Sequence, residues 1–145
     1  MDLIQLMEQK NHFLEQFYSL NELQVKLLRA GAVETLDEFY QKREKILEIL
    51  RYLDGQIHQI MDTPTYKHVG THDFPHSQVK KDLQKALKIK EEYVFRIMEQ
   101  ELQILSLMDE IKSAILKELI EIQSQKKALR GYHSKTTENQ LKEKA

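Results

Sequence analysis

The stretch LDEFYQKREKILEILRYLDGQIHQI, residues 36–60, decides the fold class of this chain. Apolar residues recur in it every three or four positions, the spacing that keeps side chains on one face of an α-helix. Seven of the eight positions on that face are apolar, and the exception is Arg43. The eight positions are Leu36, Phe39, Arg43, Ile46, Leu50, Leu53, Ile57 and Ile60. The pattern predicts an amphipathic helix that packs against other helices.

This helix is predicted to cover residues 35–61. It opens with TLDE, in which Thr35 and Glu38 match a capping box, where each side chain bonds the other residue's backbone N–H. Gly55 inside the helix costs about 1 kcal/mol relative to alanine. Residues 62–76 contain both prolines of the chain and are predicted to form a loop.

A first helix is predicted at residues 2–29, upstream of this stretch. Leu6, Phe13, Leu20 and Leu27 recur every seven residues, which keeps them on one side of a helix. Gly31 is expected to end the helix, as glycine does just after helix C-termini.

A third and longer helix is predicted at residues 77–130, which contain no glycine or proline. Its apolar face extends from Leu83 to Ile122 and is interrupted by Lys90, Glu101 and Glu118. A second apolar stripe begins only after residue 94. It consists of Phe95, Met98, Leu102, Leu105, Leu116 and Leu119.

These patterns predict an all-α fold, an antiparallel three-helix bundle or coiled coil with one long C-terminal helix. Residues 94–122 would pack across the hairpin of the first two helices, one face against each, and residues 77–93 would extend beyond it. A break of the third helix near Lys88–Glu92 is the alternative, which periodicity leaves open. We expect one domain, residues 1–131, and a flexible polar tail, residues 132–145.

Composition limits the partners that this chain can have. Its 145 residues include 22 basic and 23 acidic residues, a net charge of −1, so no overall field attracts nucleic acid or an anionic membrane. The lysines of residues 80–90 lack the interleaved aromatic residues of a single-strand binder. The longest apolar uncharged runs are too short to span a bilayer, and the N-terminus has no signal-peptide pattern. We expect a cytoplasmic protein with no nucleic-acid partner and no membrane insertion.

Catalytic and metal sites are not indicated. His68, His72 and His76 have the spacing of helical metal ligands, but Gly70 and Pro75 disfavour a helix there. No histidine follows a glutamate by three residues, as di-iron bundles require, and no Ser/His/Asp set or glycine-rich phosphate loop is present. We therefore expect no enzymatic activity, no metal and no cofactor.

The stretch SQKKALRGYHSK, residues 124–135, resembles a helix end. Lys126, Lys127 and Arg130 would complement the negative end of the helix dipole, and Gly131 would adopt the left-handed conformation that stops the helix. Tyr132 would then follow the stop, either folded back onto the bundle or exposed to a partner.

The order of these parts resembles that of FlgN-type flagellar export chaperones of bacterial type III secretion. The resemblance covers nearly the whole chain: a leucine-rich first helix, AGAVETLDEF (30–39) leading into YQKREKILEIL (40–50), a variable loop, a long third helix, and ALRGY (128–132) before a polar tail. The histidine-rich loop departs from the family pattern.

The resemblance implies a cytoplasmic chaperone without ATPase activity. Such proteins bind the C-terminal helical segments of hook-associated proteins, which form the hook–filament junction, and deliver them unpolymerised to the export gate. It also implies that the C-terminal part of the long helix binds the client and that Tyr132 is a candidate contact with the export gate. The implied client-binding residues are Leu105, Ile115, Leu116, Leu119 and Ile122.

Two other functions fit the same pattern. A structural coiled-coil protein would self-associate, for instance as a homodimer, through the same stripe. A chaperone of the flagellar cap protein would share the helical build and differ only in its partner. If residues 94–122 were covered by the first two helices, little client surface would be free. Either the helices then pack in another register, or client binding loosens the bundle.

Overall fold

The fold consists of helices. In a computed structural model of the chain, the backbone is described for residues 1–64 and 77–144, and side chains are described for residues 1–64 and 78–133. Every regular element within these residues is helical, which confirms the predicted all-α class. The elements are α1 (Leu3–Arg29), a 3-10 turn (Val33–Thr35), α2 (Leu36–Met61) and α3 (Ser77–Lys144).

The chain divides into two compact units, Met1–Leu107 and Met108–Ala145. We call the described residues of the first unit the helical bundle and those of the second the C-terminal segment. The bundle contains α1, α2 and the first part of α3. The single domain of residues 1–131 stays a prediction.

Both ends of α1 are capped by local hydrogen bonds. The Asp2 carboxylate accepts a bond from the Gln5 N–H at 2.8 Å, and the Gln5 side-chain oxygen accepts one from the Asp2 N–H at 3.1 Å, which completes a capping box. At the other end Gly31 has φ 78°, and its N–H donates to the Leu28 carbonyl at 3.0 Å. The N–H of the next residue donates to the Leu27 carbonyl at 2.9 Å. This paired pattern is a Schellman motif, and the predicted role of Gly31 is confirmed.

The predicted capping box at the start of α2 is wrong. Thr35 has helical φ and ψ, and its side chain makes no capping bond. Its hydroxyl instead donates to the Ala32 carbonyl at 2.7 Å and accepts from the Gln24 amide of α1 at 3.2 Å. Thr35 therefore ties the 3-10 turn to α1, and Glu38 pairs along α2 with Lys42 at 2.9 Å.

Helices α1 and α2 form an antiparallel hairpin. Lys10, near the start of α1, forms an ion pair with Asp54, near the end of α2. Further along, the Arg43 guanidinium lies 5.6 Å from the centre of the Phe17 ring, a cation–π distance. The apolar face predicted from residues 36–60 points inward, since Phe39, Leu50 and Leu53 are buried and the other five positions are half-buried.

Within the bundle α3 runs parallel to α1 and antiparallel to α2. The Asn11 amide donates to the Ala86 carbonyl and the Gln100 amide donates to the Tyr18 carbonyl, both at 3.0 Å. These contacts join residues that are 75 and 82 positions apart. The apolar core of the bundle is Leu3, Leu6, Met7, Leu14, Phe17, Val25, Leu28, Phe39, Leu50, Leu53, Leu83, Ala86 and Ile104.

This packing contradicts the predicted register. Residues 77–93 were expected to extend beyond the hairpin, but Leu83 is 1% exposed and clusters with Leu3, Met7 and Ala86. The packed part of α3 therefore begins near Val79, which lies against this cluster, rather than at residue 94. Every residue of the second stripe is exposed, so the expectation that residues 94–122 use two faces for packing is also wrong.

A polar layer crosses the bundle and accounts for this register. The Arg43 guanidinium donates to the Glu101 carboxylate at 3.0 Å, and the Asn21 amide lies 3.5 Å from the same oxygen. Asn21 is completely buried, and each member of the ion pair is about one-third exposed. Sliding α3 by one heptad would separate Glu101 from both partners and leave a buried amide unpaired. Such a layer fixes the alignment of helices whose apolar contacts alone permit several.

Helix α3 is longer than predicted. It continues through Lys88–Glu92, so the alternative with a break there is wrong. It also continues through Gly131 to Lys144, so the predicted end at Arg130 and the left-handed role of Gly131 are wrong. Glycine in a helix costs only about 1 kcal/mol relative to alanine, and helix-favouring residues precede it. The flexibility of residues 132–145 stays a prediction.

The predicted loop begins where α2 ends. Asp62 and Thr63 form a turn through N–H bonds to the carbonyls of His58 and Ile60, at 3.1 and 3.0 Å. The loop histidines, His68, His72 and His76, lie outside the described residues.

Candidate protein-binding surface

The residues that the family resemblance implies for client binding are exposed apolar side chains of α3. Their exposed fractions are Leu105 57%, Ile115 47%, Leu116 51%, Leu119 49% and Ile122 40%. Four of them lie in the C-terminal segment, whereas Leu105 lies in the helical bundle. The assignment of these residues to a client stays a prediction, but the surface that it requires is present.

Four of these side chains form one stripe of the C-terminal segment. An α-helix turns by 100° per residue, so Ile115, Leu119 and Ile122 fall within about 60° of arc. Leu116 lies beside them on the same side. We call these four residues the 115–122 stripe. Glu118 borders it about 40° from Ile122, so an exposed carboxylate accompanies the apolar surface.

The helical bundle carries a separate exposed stripe on α3. Phe95, Met98, Leu102 and Leu105 are 57–68% exposed and recur at intervals of three and four residues. We call them the 95–105 stripe. The family resemblance implies only Leu105 as a site residue, and the sequence pattern predicts that the other three pack within the bundle. The heptad pattern located all four residues, but it did not indicate that the hairpin leaves them uncovered.

Tyr132 is helical rather than beyond a helix stop. It is 69% exposed, and its ring meets the His133 ring edge-on at 6.3 Å. It lies ten residues after Ile122, which is about 15 Å along a helix. Tyr132 is therefore placed away from the 115–122 stripe on the same segment, and a contact made by one does not require the other.

Two other kinds of feature are not found among the described residues, a metal-ligand cluster and a membrane-spanning helix. Within residues 1–64 and 78–133, no three His, Cys, Asp or Glu side chains are grouped so that they could hold a metal ion. None of the described helices combines the length and the apolar character needed to cross a membrane.

Comparison with known proteins finds no match. The chain matches no family model, no curated protein and no solved structure.

Proposed function

We propose that this chain is a cytoplasmic export chaperone that binds the C-terminal helical region of flagellar hook-associated proteins. It would keep these proteins from assembling early and deliver them to the type III export gate. The observation that carries the proposal is the 115–122 stripe, four large aliphatic side chains that are each 40% exposed or more. The resemblance to FlgN-type chaperones names the client and the export system.

The stripe suits the binding of a helix because of its chemistry. An amphipathic client helix would bury its own apolar residues against Ile115, Leu119 and Ile122, and both surfaces would leave water. A contiguous exposed apolar surface on a soluble protein marks an interaction site. Since the bundle has its own core, covering the stripe is not needed for the bundle to fold. A client whose assembly helix is covered in this way cannot polymerise.

Delivery requires a second contact, and Tyr132 is the candidate. Its exposed ring lies on the C-terminal segment but outside the stripe. A phenol ring offers apolar area and a hydroxyl group together, which is why tyrosine is frequent at protein interfaces. In this proposal the client occupies the stripe while Tyr132 remains accessible to the export gate. The mechanism uses binding alone and needs no enzymatic step, metal or cofactor.

The same stripe also favours a second candidate function. A structural protein would use it to pair with its own copies, because two apolar helix faces bury each other as well as they bury a client. A chaperone of the flagellar cap protein would use it as proposed, with a different client. The identity of the partner separates these candidates.

The proposal is tested with the double variant Leu116→Glu and Leu119→Glu in the full-length chain. Two carboxylates within the stripe cannot be buried against a client helix without a large desolvation cost. The matched control is Ser113→Glu and Ser124→Glu, which adds the same charge to exposed positions on the other side of the segment. We expect the wild type and the control to capture hook-associated proteins from a host lysate. The stripe variant should capture about tenfold less of these proteins, or even less.

Two further measurements separate the outcomes. Circular dichroism should show equal helicity in all three proteins, and light scattering should report their masses. Loss of the client at unchanged helicity supports the chaperone, whether or not the mass of the variant also falls. Capture of the cap protein instead of junction proteins identifies the sister class. A wild-type oligomer that dissociates in the stripe variant, with no flagellar client captured, identifies the structural protein. Unfolding of the stripe variant would place Leu116 and Leu119 in a core and refute the site.

A further inference from the structure

A third exposed apolar surface lies between α1 and α2, and none of its lining residues belongs to the described part of α3. Its floor consists of Leu20 and Leu23 from α1 and Ile46 and Ile49 from α2. Leu23 is 54% exposed, so this floor is open to solvent rather than covered within the bundle. We call it the α1–α2 groove. It is bordered by Gln16 and Ser19 on one side and by Lys42 and Lys45 on the other.

The two lysines make one border of the groove basic. Lys42 already has a partner, since it donates to the Glu38 carboxylate at 2.9 Å. This hydrogen bond, together with the charge of Lys42, lowers the pKa of Glu38. Lys45 forms no ion pair with any side chain that the structure describes. The groove therefore offers an apolar floor with one unmatched positive charge beside it, which suits an apolar helix face bordered by a carboxylate.

The chain itself contains a helix face of this kind. The 115–122 stripe is apolar, exposed and bordered by Glu118. Its length also matches the groove. The stripe extends over seven helical steps, from Ile115 to Ile122, or about 10 Å. The groove extends over the same number of steps on each helix, from Gln16 to Leu23 and from Lys42 to Ile49.

We infer that the α1–α2 groove binds the 115–122 stripe of a second copy of this chain, with Glu118 of one copy facing Lys45 of the other. Each copy has one groove and one stripe, so each contact joins two different surfaces and every copy can take part in two contacts. The inference does not depend on the proposed client. If the client binds the stripe as proposed, it competes with the second copy, and the groove shields the stripe until a client arrives.

The contact is tested by exchanging the two charges. Lys45→Glu places a carboxylate opposite Glu118, and Glu118→Lys places an ammonium opposite Lys45. Both positions are exposed, so folding is not affected, and circular dichroism verifies this. We expect sedimentation equilibrium to show a self-associating wild type and each single variant weakened about tenfold, because like charges then face each other.

An equimolar mixture of the two variants provides the decisive measurement. When Lys45→Glu meets Glu118→Lys, one contact has its charges exchanged and the other keeps the native pair, so opposite charges face each other at both. We expect the mixture to associate with close to wild-type strength, although neither variant does so alone. The uncharged variant Leu23→Ser tests the floor of the groove and should weaken association without changing any charge.

Three results would overturn this inference. The first is a wild type that is monomeric at every accessible concentration. The second is a mixture that self-associates as weakly as each variant alone. The third is loss of association in the Leu116→Glu, Leu119→Glu variant while Leu23→Ser and Lys45→Glu associate normally. The last result would mean that stripes pair with stripes. Client capture is a separate readout, because Lys45→Glu leaves the stripe intact and should capture hook-associated proteins as well as the wild type does or better.

Discussion

Two parts of α3 carry apolar side chains at the same helical spacing but differ in burial. Leu83 and Ile104 in the helical bundle are 1% and 4% exposed, whereas Ile115 and Leu119 in the C-terminal segment are nearly half exposed. The spacing of apolar residues thus indicates which face of a helix is apolar. It does not indicate whether another helix of the same chain covers that face. Helices α1 and α2 have 27 and 26 residues, whereas α3 has 68, so the hairpin is too short to cover the whole of α3.

The largest expected effect comes from truncating the buried part. Leu83→Ala removes most of a buried side chain that packs with Leu3, Met7 and Ala86, and it leaves a cavity in the core. We expect a loss of about 3 kcal/mol in the free energy of unfolding, measured by urea denaturation followed by circular dichroism.

The matched variant is Leu119→Ala, which removes the same atoms from the exposed part. We expect it to change the free energy of unfolding by less than about 0.5 kcal/mol. If Leu83→Ala and Leu119→Ala lowered the free energy of unfolding equally, the two parts of α3 would not differ in burial. That result would refute the contrast drawn between them.

A smaller effect is expected from the polar layer. Glu101→Ala removes the acceptor shared by Arg43 and Asn21, and it leaves a buried amide without its partner. We expect a loss of about 1–2 kcal/mol in the free energy of unfolding, because an orphaned buried donor is not compensated by water. The pair is partly exposed, which keeps the loss below that of a fully buried ion pair.

The control for this variant is Glu44→Ala. Glu44 pairs with Arg51 at 3.1 Å on the surface of α2, where both side chains are more than half exposed. Exposed pairs contribute little, so we expect a loss below about 0.5 kcal/mol. If both variants lost the same amount, Glu101 would act as an ordinary surface charge and would not fix the register.

The helix pattern was predictable because it depends on local sequence. The inward face of α2 is confirmed, as is the termination of α1 at Gly31, since both follow from the spacing of neighbouring residues. The Thr35–Glu38 cap failed for a tertiary reason: the Thr35 hydroxyl is engaged by Gln24 of α1. A local motif identifies a residue that can cap a helix, but that side chain can instead form a hydrogen bond with a neighbouring helix.

The register of α3 was not predictable from apolar residues, since a shift by one heptad exchanges one apolar set for another. The useful signal lay in the exceptions to the pattern. Arg43 is the one charged residue on the inward face of α2, and the corresponding face of α3 has acidic residues only at Glu101 and Glu118. Pairing Arg43 with Glu101 gives the observed register and leaves Glu118 exposed.

The smallest expected effects concern two glycines, one in each unit. Gly31 has φ 78° and ends α1, so Gly31→Ala forces a side chain into the left-handed region and should cost the bundle about 1 kcal/mol. Gly131 is helical, and an added Cβ would meet nothing within 4 Å beyond its chain neighbours and the backbone of its own helix. Gly131→Ala should therefore stabilise the helix around it by up to about 1 kcal/mol and leave the urea midpoint of the bundle unchanged.

Amide hydrogen exchange over residues 127–135 measures the effect at Gly131 directly, because exchange there reports local opening of the helix. We expect slower exchange in Gly131→Ala and no change in Gly31→Ala at these residues. Faster exchange in Gly131→Ala would mean that Gly131 does stop the helix in solution, as the stretch ALRGY suggests by itself. The third helix would then end before Tyr132, and the helical part of the C-terminal segment would be limited to the 115–122 stripe and its flanking turns.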